Sequence, residues 1–179
     1  MLGSVTEKVM RKASCPVMVV PRSAPDRAVE EPVRFRRILC PVDFSASSIG
    51  ALTYAIDMAE EADAQLTILH AIEIPPELRE HHITADFNVD EVRATAEAAC
   101  LQRLRQFVPG QARTYCAVES VVVEGSACRE ILRHAAQKQS DLIVMGVHGR
   151  GSVDLMVFGS NAQHVIRAAT CPVLVVPRR

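Results

Sequence analysis

The amino-acid sequence predicts an α/β domain built on a doubly wound, five-stranded parallel sheet. Two observations carry that expectation. From residue 37 onward, apolar runs and segments of helical spacing alternate, strand then helix four times over and then a fifth strand. The apolar runs are also hydrophobic at successive positions, so both faces of each strand need covering, as in a parallel sheet with helices on both sides.

Taken in order, Ile38 to Val42 is the first strand and ends at Asp43. Ser45 to Ala64 reads as a helix, with Leu52, Ile56 and Ala59 on one face and cap candidates between Ser45 and Ser48. Leu66 to Ile72 is the second strand. Glu73 to Val89 contains Pro75-Pro76 and His81-His82 with little periodicity and reads as a loop without metal-site spacing. Asp90 to Val108, rich in Ala, Glu and Arg, is a helix closed by Pro109-Gly110. Ala117 to Val123 is the third strand, and Gly125-Ser126 opens a helix running to Gln139. Asp141 to Val147 is the fourth strand, Ser160 to about Ala169 the last helix, and Pro172 to Val176 the fifth strand.

The 179 residues are 49% apolar, enough for a core that needs neither metal nor disulfide. A formal net charge of −1 argues against a general nucleic-acid binder, and 4% aromatics with no Trp leave no platform for single strands. Cys15, Cys40, Cys100, Cys116, Cys128 and Cys171 form no C-x-x-C pair, so buried or partly buried free thiols are expected. Together with the lack of a signal core or a membrane-length apolar run, this leads us to expect a cytoplasmic protein without membrane partners.

Residues 3–22 (GSVTEKVMRKASCPVMVVPR) repeat residues 159–178 (GSNAQHVIRAATCPVLVVPR), with twelve of twenty positions identical at an offset of 156. The expected organisation is a copy of a domain's last helix and strand at 1–22, a Pro- and charge-rich linker at 23–36, and a whole domain at 37–179. The chain is thus expected to begin in the tail of a preceding domain. The final strand, apolar and uncharged, would lie at a sheet edge. Val17–Val20 is expected to pair with it antiparallel, while the helix from Gly3 to Ala13 covers apolar surface through Val5, Val9 and Met10. The alternative is exchange of that segment between two chains in a homodimer.

Chemistry concentrates in Met145-Gly146-Val147-His148-Gly149 and Gly159-Ser160, a G-x2-G-x9-G-S pattern between a parallel strand and a helix. Gly146 and Gly149 would let the backbone leave the strand with unusual torsions and approach a ligand closely. Gly159 and Ser160 open a helix whose free N–H groups and dipole favour phosphate oxygens. The Ser160 hydroxyl suits either a helix cap or a phosphate donor. A P-loop is absent, and Gly149-Arg150-Gly151 has Asp154 where a Rossmann fingerprint has its third glycine. Pro41-Val42-Asp43-Phe44-Ser45 ends the first strand, where open α/β sheets bind ligands. The Asp43 carboxylate would either accept from a ribose or an adenine amine, or cap the next helix. No carboxylate is spaced to orient His148 as a catalytic base, and Arg150 either reaches phosphate or is solvated.

These segments, with Leu69-His70-Ala71-Ile72 and the closing C-P-V-L-V-V-P, resemble the ATP-binding branch of the universal stress protein family over roughly residues 36–178. The resemblance implies an adenine nucleotide alpha hydrolase-like fold with strand order 3-2-1-4-5, and ATP, with or without Mg2+, as ligand. Adenosine would rest near Pro41, Val42, Asp43, Ala71 and Met145. Phosphates would meet Gly146, His148, Gly149, Gly159, Ser160, Asn161 and Ala162, with Arg150 within reach. The sequence departs from the family at Asn161-Ala162, where Val-Thr is common, although the N-terminal copy keeps Val5-Thr6. Relatives of this type commonly associate through the last strand. Three functions stay open: an ATP-binding stress or signalling module with slow or no hydrolysis, a nucleotide-dependent enzyme, and a dimerising scaffold that binds no nucleotide. No activated nucleophile or general-base pair is legible, so no catalytic residue is assigned.

Overall fold

The computed structural model describes residues 4–21, 33–73, 89–110, 112, 116–147 and 159–177. His148, Gly149, Arg150, His81 and His82 lie outside these residues, as does most of the linker. The elements in chain order are α1 (Ser4–Lys12), β1 (Val17–Val19), β2 (Arg37–Pro41), α2 (Ala46–Ala62), β3 (Gln65–Ile72) and α3 (Val89–Gln106). They continue with β4 (Ala117–Glu124), α4 (Ala127–Gln137), β5 (Leu142–Gly146), α5 (Ser160–Ala168) and β6 (Val173–Val176).

One sheet runs in the order β1-β6-β5-β2-β3-β4. Its five domain strands are parallel and follow the expected 3-2-1-4-5 order, counted from β2. The sheet is six-stranded and mixed, however, because β1 joins β6 antiparallel, with Val17 opposite Val175, Met18 opposite Leu174 and Val19 opposite Val173. The pairing anticipated from the repeat is therefore made within one chain. At the opposite end of the strands, the Asp141 carboxylate accepts from the Arg36 and Arg37 amides at 2.9 and 3.0 Å. That bond ties the start of β2 to the start of β5 and holds their register.

The apolar runs sort by parity. Ile38, Cys40, Leu66, Ile68, Leu142 and Val144 point into the layer under α2 and α3. Leu39, Leu69, Ile143, Met145, Val173 and Val175 point into the layer under α4 and α5. Strand positions such as Ile38, Leu39 and Cys40 are at most 1% exposed, which is why the runs lack in/out alternation. Burying each such side chain contributes about 1.5–3 kcal/mol. Helix α2 meets the sheet through Ala51, Ala55 and Ala59, one small residue per turn, each fully buried. A stripe of alanines lets the helix axis sit close to β5, a proximity that matters at the site. Ser45 caps α2, accepting from the Ser48 amide at 3.2 Å, and Asp63 ends it in the left-handed conformation.

In α1, Met10 is 2% exposed, as expected, while Val9 is 50% exposed, so Val9 does not cover the core; the Val5 side chain lies outside the described residues. One long thioether fills the gap that two adjacent residues cannot both reach from one helix face. Of the six cysteines, all free, Cys40, Cys116 and Cys171 are buried and Cys100 and Cys128 are half-buried; Cys15 departs from expectation and is exposed. Among the described residues no helix is long and apolar enough to cross a membrane.

Candidate functional site

A cavity of about 860 Å³ opens at the carboxyl ends of β2, β3 and β5, within the range of small-molecule sites. It lies where the chain switches direction across the sheet, between the adjacent parallel strands β2 and β5. From the β2 side come Pro41, Val42 and Asp43; from β3, Ala71; from β5, Met145 and Gly146; from the start of α5, Gly159, Ser160, Asn161 and Ala162. Ten of the thirteen candidate residues thus line a single space, and the other three, His148, Gly149 and Arg150, lie outside the described residues.

The turn after β2 is built with strain. Phe44 has φ +64°, in the left-handed region, at a cost of roughly 1–2 kcal/mol for a residue with a side chain. Local bonds offset that cost. Asp43 Oδ1 accepts from the Ser45 amide at 3.0 Å, and the Asp43 amide donates to Ser48 Oγ at 3.3 Å. Ser48 Oγ in turn donates to the Ser45 carbonyl at 3.0 Å. Asp43 therefore takes part in shaping the entry to α2 while also lining the cavity, and the two sequence alternatives are not exclusive.

The strained turn sets the Phe44 ring 4.5 Å from that of His70, centroid to centroid. His70 is 5% exposed, and its Nδ1 lies 2.7 Å from the Val42 carbonyl. A carbonyl can only accept, so Nδ1 carries the hydrogen. On the outer side, the Arg103 guanidinium carbon of α3 stands 4.2 Å from the Phe44 centroid. Phe44, His70, Ser48, Glu73 and Arg103 all line the cavity; the sequence offered Ser48 only as a cap candidate and gave the other four no role. Phe44 and His70 sat inside quoted motifs. Arg103 had no local signal, because only the docking of α3 brings it to the site.

Gly146 differs from expectation in its physical reason. A Cβ there would lie 2.5 Å from Ser47 Oγ and 2.7 and 2.8 Å from the Ser47 carbonyl carbon and oxygen. It is not among the positive-φ glycines. The passage of α2 over the end of β5 is enough to require a residue without a side chain here, and no unusual torsion is involved.

Two helix N-termini reach the cavity, and they differ. The Ala127 amide at the start of α4 donates to Glu73 Oε1 at 2.8 Å, so that end already holds a carboxylate. At α5 the N-cap is Gly159, held by its amide to the Val147 carbonyl at 3.0 Å. Ser160 follows the cap rather than serving as it. The first intrahelical bond runs from the Gln163 amide to the Gly159 carbonyl at 3.0 Å, which leaves the amides of Ser160, Asn161 and Ala162 ahead of it without intrahelical acceptors. An anion entering the cavity meets these donors and the positive end of the helix dipole.

No activated nucleophile comes from the buried thiols. Burial alone raises Cys40, and burial pushes Cys171 up to about 11. Cys116 is raised by burial first and then by the nearby Glu60 and Asp63 charges. Among the described residues no group of His, Cys, Asp or Glu side chains is arranged to hold a metal ion.

Comparison with known proteins places the chain in context. The model of the universal stress protein family matches residues 1–21 and 34–177. Universal stress protein YxiE of Bacillus subtilis is 32% identical over 146 residues, covering 79% of this chain and 99% of that protein. Universal stress protein Rv2005c of Mycobacterium tuberculosis is 31% identical over 183 residues, 98% of this chain but 56% of its own length, so the chain spans about half of that relative. Among solved structures, UspA from Lactobacillus plantarum superposes with TM-score 0.67 at 27% identity, covering 81% of this chain and 99% of that one. A universal stress protein solved in complex with cAMP has TM-score 0.58 at 21% identity, over 82% of this chain and all of that one, and shares the fold.

Proposed function

The chain belongs to the universal stress protein family, and from that membership we propose that it is an ATP-binding module of stress response or signalling, with slow or no hydrolysis. The observation that carries the reading is the meeting of ten candidate residues, drawn from four separate segments, on one cavity at the switch point of the sheet. In this reading adenosine rests against Pro41, Val42, Ala71 and Met145, with Asp43 accepting from the nucleoside. Phosphates take the amides of Ser160, Asn161 and Ala162 beside Gly146 and Gly159, and His148, Gly149 and Arg150 complete the loop over them. Glu73 at the start of α4 favours this polarity, since it leaves α5 as the helix end open to an anion. An accompanying Mg2+ would draw its oxygens from the phosphates.

The same reading extends to organisation. Residues 1–22 are read as the closing helix and strand of a second domain of this kind, 23–36 as a linker and 37–179 as the nucleotide-binding domain. The twelve identities in the repeat support it, as does the relative of which this chain spans about half. In this reading the 179 residues carry one site, in 37–179, since residues 1–22 hold Gly3-Ser4 but no G-x2-G and no Asp-bearing strand. With β1 on the β6 edge, pairing within the chain is favoured over a homodimer.

Native mass spectrometry of the purified protein tests the function. Retained or added ATP at one per chain is the expected result, with cAMP as the competing ligand. A protein that takes up neither is the non-binding scaffold, and release of ADP at catalytic rates would make it an enzyme.

A further inference from the structure

We propose that Arg103 is a base-stacking residue whose guanidinium, carried on the Phe44 ring, receives the flat face of a purine entering the cavity. The proposal rests on the nucleotide-binding reading above and adds a contact outside its motifs. The guanidinium carbon lies over the Phe44 ring, 4.2 Å from its centroid. The side chain is exposed and lines the cavity, within reach of a ligand entering there. Among the described residues no carboxylate lies within ion-pair distance of Arg103. A guanidinium is planar, delocalised and weakly hydrated and can lie flat against an aromatic face, whereas an ammonium meets that face only as a compact, strongly hydrated point charge. Here it already holds one such contact and offers a second.

The geometry behind it is firm. Phe44 is locked by its left-handed backbone and by His70, whose ring is tied to the Val42 carbonyl. Phe44 and His70 are the aromatic residues on the described cavity wall, in a chain with no Trp. A base entering beside Asp43 therefore finds the Phe44 face covered by Arg103 and stacks on the cation instead. Asp43 and Phe44 are consecutive, so this platform stands at the nucleoside end, while the opening amides of α5, which have no intrahelical acceptors, stand at the other. A purine covers more of the guanidinium than a pyrimidine, so the contact also selects between them.

Calorimetric titration of the full chain with ATP, UTP and inorganic triphosphate tests this, on the parent, Arg103→Ala and Arg103→Lys. The expected result is a loss of about five- to tenfold in ATP affinity in both variants, a narrowed preference for ATP over UTP, and unchanged triphosphate binding. Equal losses for ATP and triphosphate would make Arg103 a phosphate contact and overturn the proposal. Full rescue by Lys would do the same, since it keeps the charge without the plane, and so would an ATP affinity untouched in Arg103→Ala. A parent that binds none of the three ligands fails the nucleotide-binding reading itself, a separate outcome from a parent that binds ATP with no dependence on Arg103.

Discussion

Met18 lies directly opposite Leu174 in the β1–β6 pair, and the two occupy the same position of the twenty-residue repeat. On either side, Val17 faces Val175 and Val19 faces Val173, and an offset of 156 converts each of those pairs into the other. A local two-fold axis therefore passes between Met18 and Leu174. Such self-complementarity marks an isologous contact, made here between two segments of one chain. The Glu7 carboxylate reaches Arg167 at 3.0 Å across the neighbouring helices.

Deleting residues 1–22 should thus expose the β6 edge and a self-complementary strand. The truncated protein is expected to dimerise or aggregate, with Leu174 of the two copies facing each other across the axis. Light scattering on both forms checks this. A truncated protein as monomeric and as soluble as the parent would show that β1 is dispensable to the edge.

Gly146→Ala places a methyl group against the Ser47 backbone, where only movement of α2 makes room. Overpacking of this kind costs about 1–3 kcal/mol, or roughly 3–10 °C of melting temperature for a domain of this size. The loss is expected with and without nucleotide. An apo melting temperature equal to the parent's would contradict the tight packing of α2 on β5.

What the sequence made legible and what it hid follow from how local each signal is. The strands were readable because burial on both faces leaves unbroken apolar runs such as Leu142 to Met145. β1 was readable only through the repeat, since three residues ending in half-exposed valines carry little signal of their own. The cavity-lining segments were readable because each is a contiguous motif. The reason for Gly146 was not, because it depends on Ser47, a hundred residues earlier. Arg103 was hidden for a similar reason: its contact with Phe44 exists only once α3 docks, and one Arg among several on that helix looks solvated. The exposure of Val9 beside buried Met10 turns on a helix rotation that a short amphipathic segment leaves open.

Asp43→Asn keeps an oxygen to accept from the Ser45 amide and removes the charge. The turn should survive, with melting temperature near the parent's, while ATP affinity falls about tenfold, equivalent to ~1.4 kcal/mol. Triphosphate affinity should not change. Parallel losses for both ligands, measured by titration, would move Asp43 from the nucleoside end to the phosphates.

His134 gives a pH dependence that can be checked without ligand. It is 8% exposed, and its Nε2 lies 3.0 Å from an Arg133 nitrogen. Arginine only donates, so Nε2 accepts and Nδ1–H is buried without a partner among the described residues. Burial first, and then the Arg133 charge, hold its pKa below the ordinary 6.5. The unfolded chain therefore binds the proton more readily than the folded one. The stability this group provides is present above about pH 6.5 and is lost as pH falls from there through the lower folded value. His134→Leu should narrow the drop in melting temperature between pH 7 and pH 5.5. An identical drop in parent and variant would assign the acid sensitivity elsewhere.

The central claim is that the cavity between β2, β3, β5 and α5 holds one ATP. Calorimetric titration of ATP into the full chain tests it most directly, with Gly159→Val as the control that puts a branched side chain where α5 begins. A single site in the 179-residue chain, lost in the variant, is the expected result. At about one hundred times the dissociation constant, bound ATP should add ~2.7 kcal/mol of stability. No binding in the parent, two equivalent sites per chain, or undiminished binding in Gly159→Val would contradict it.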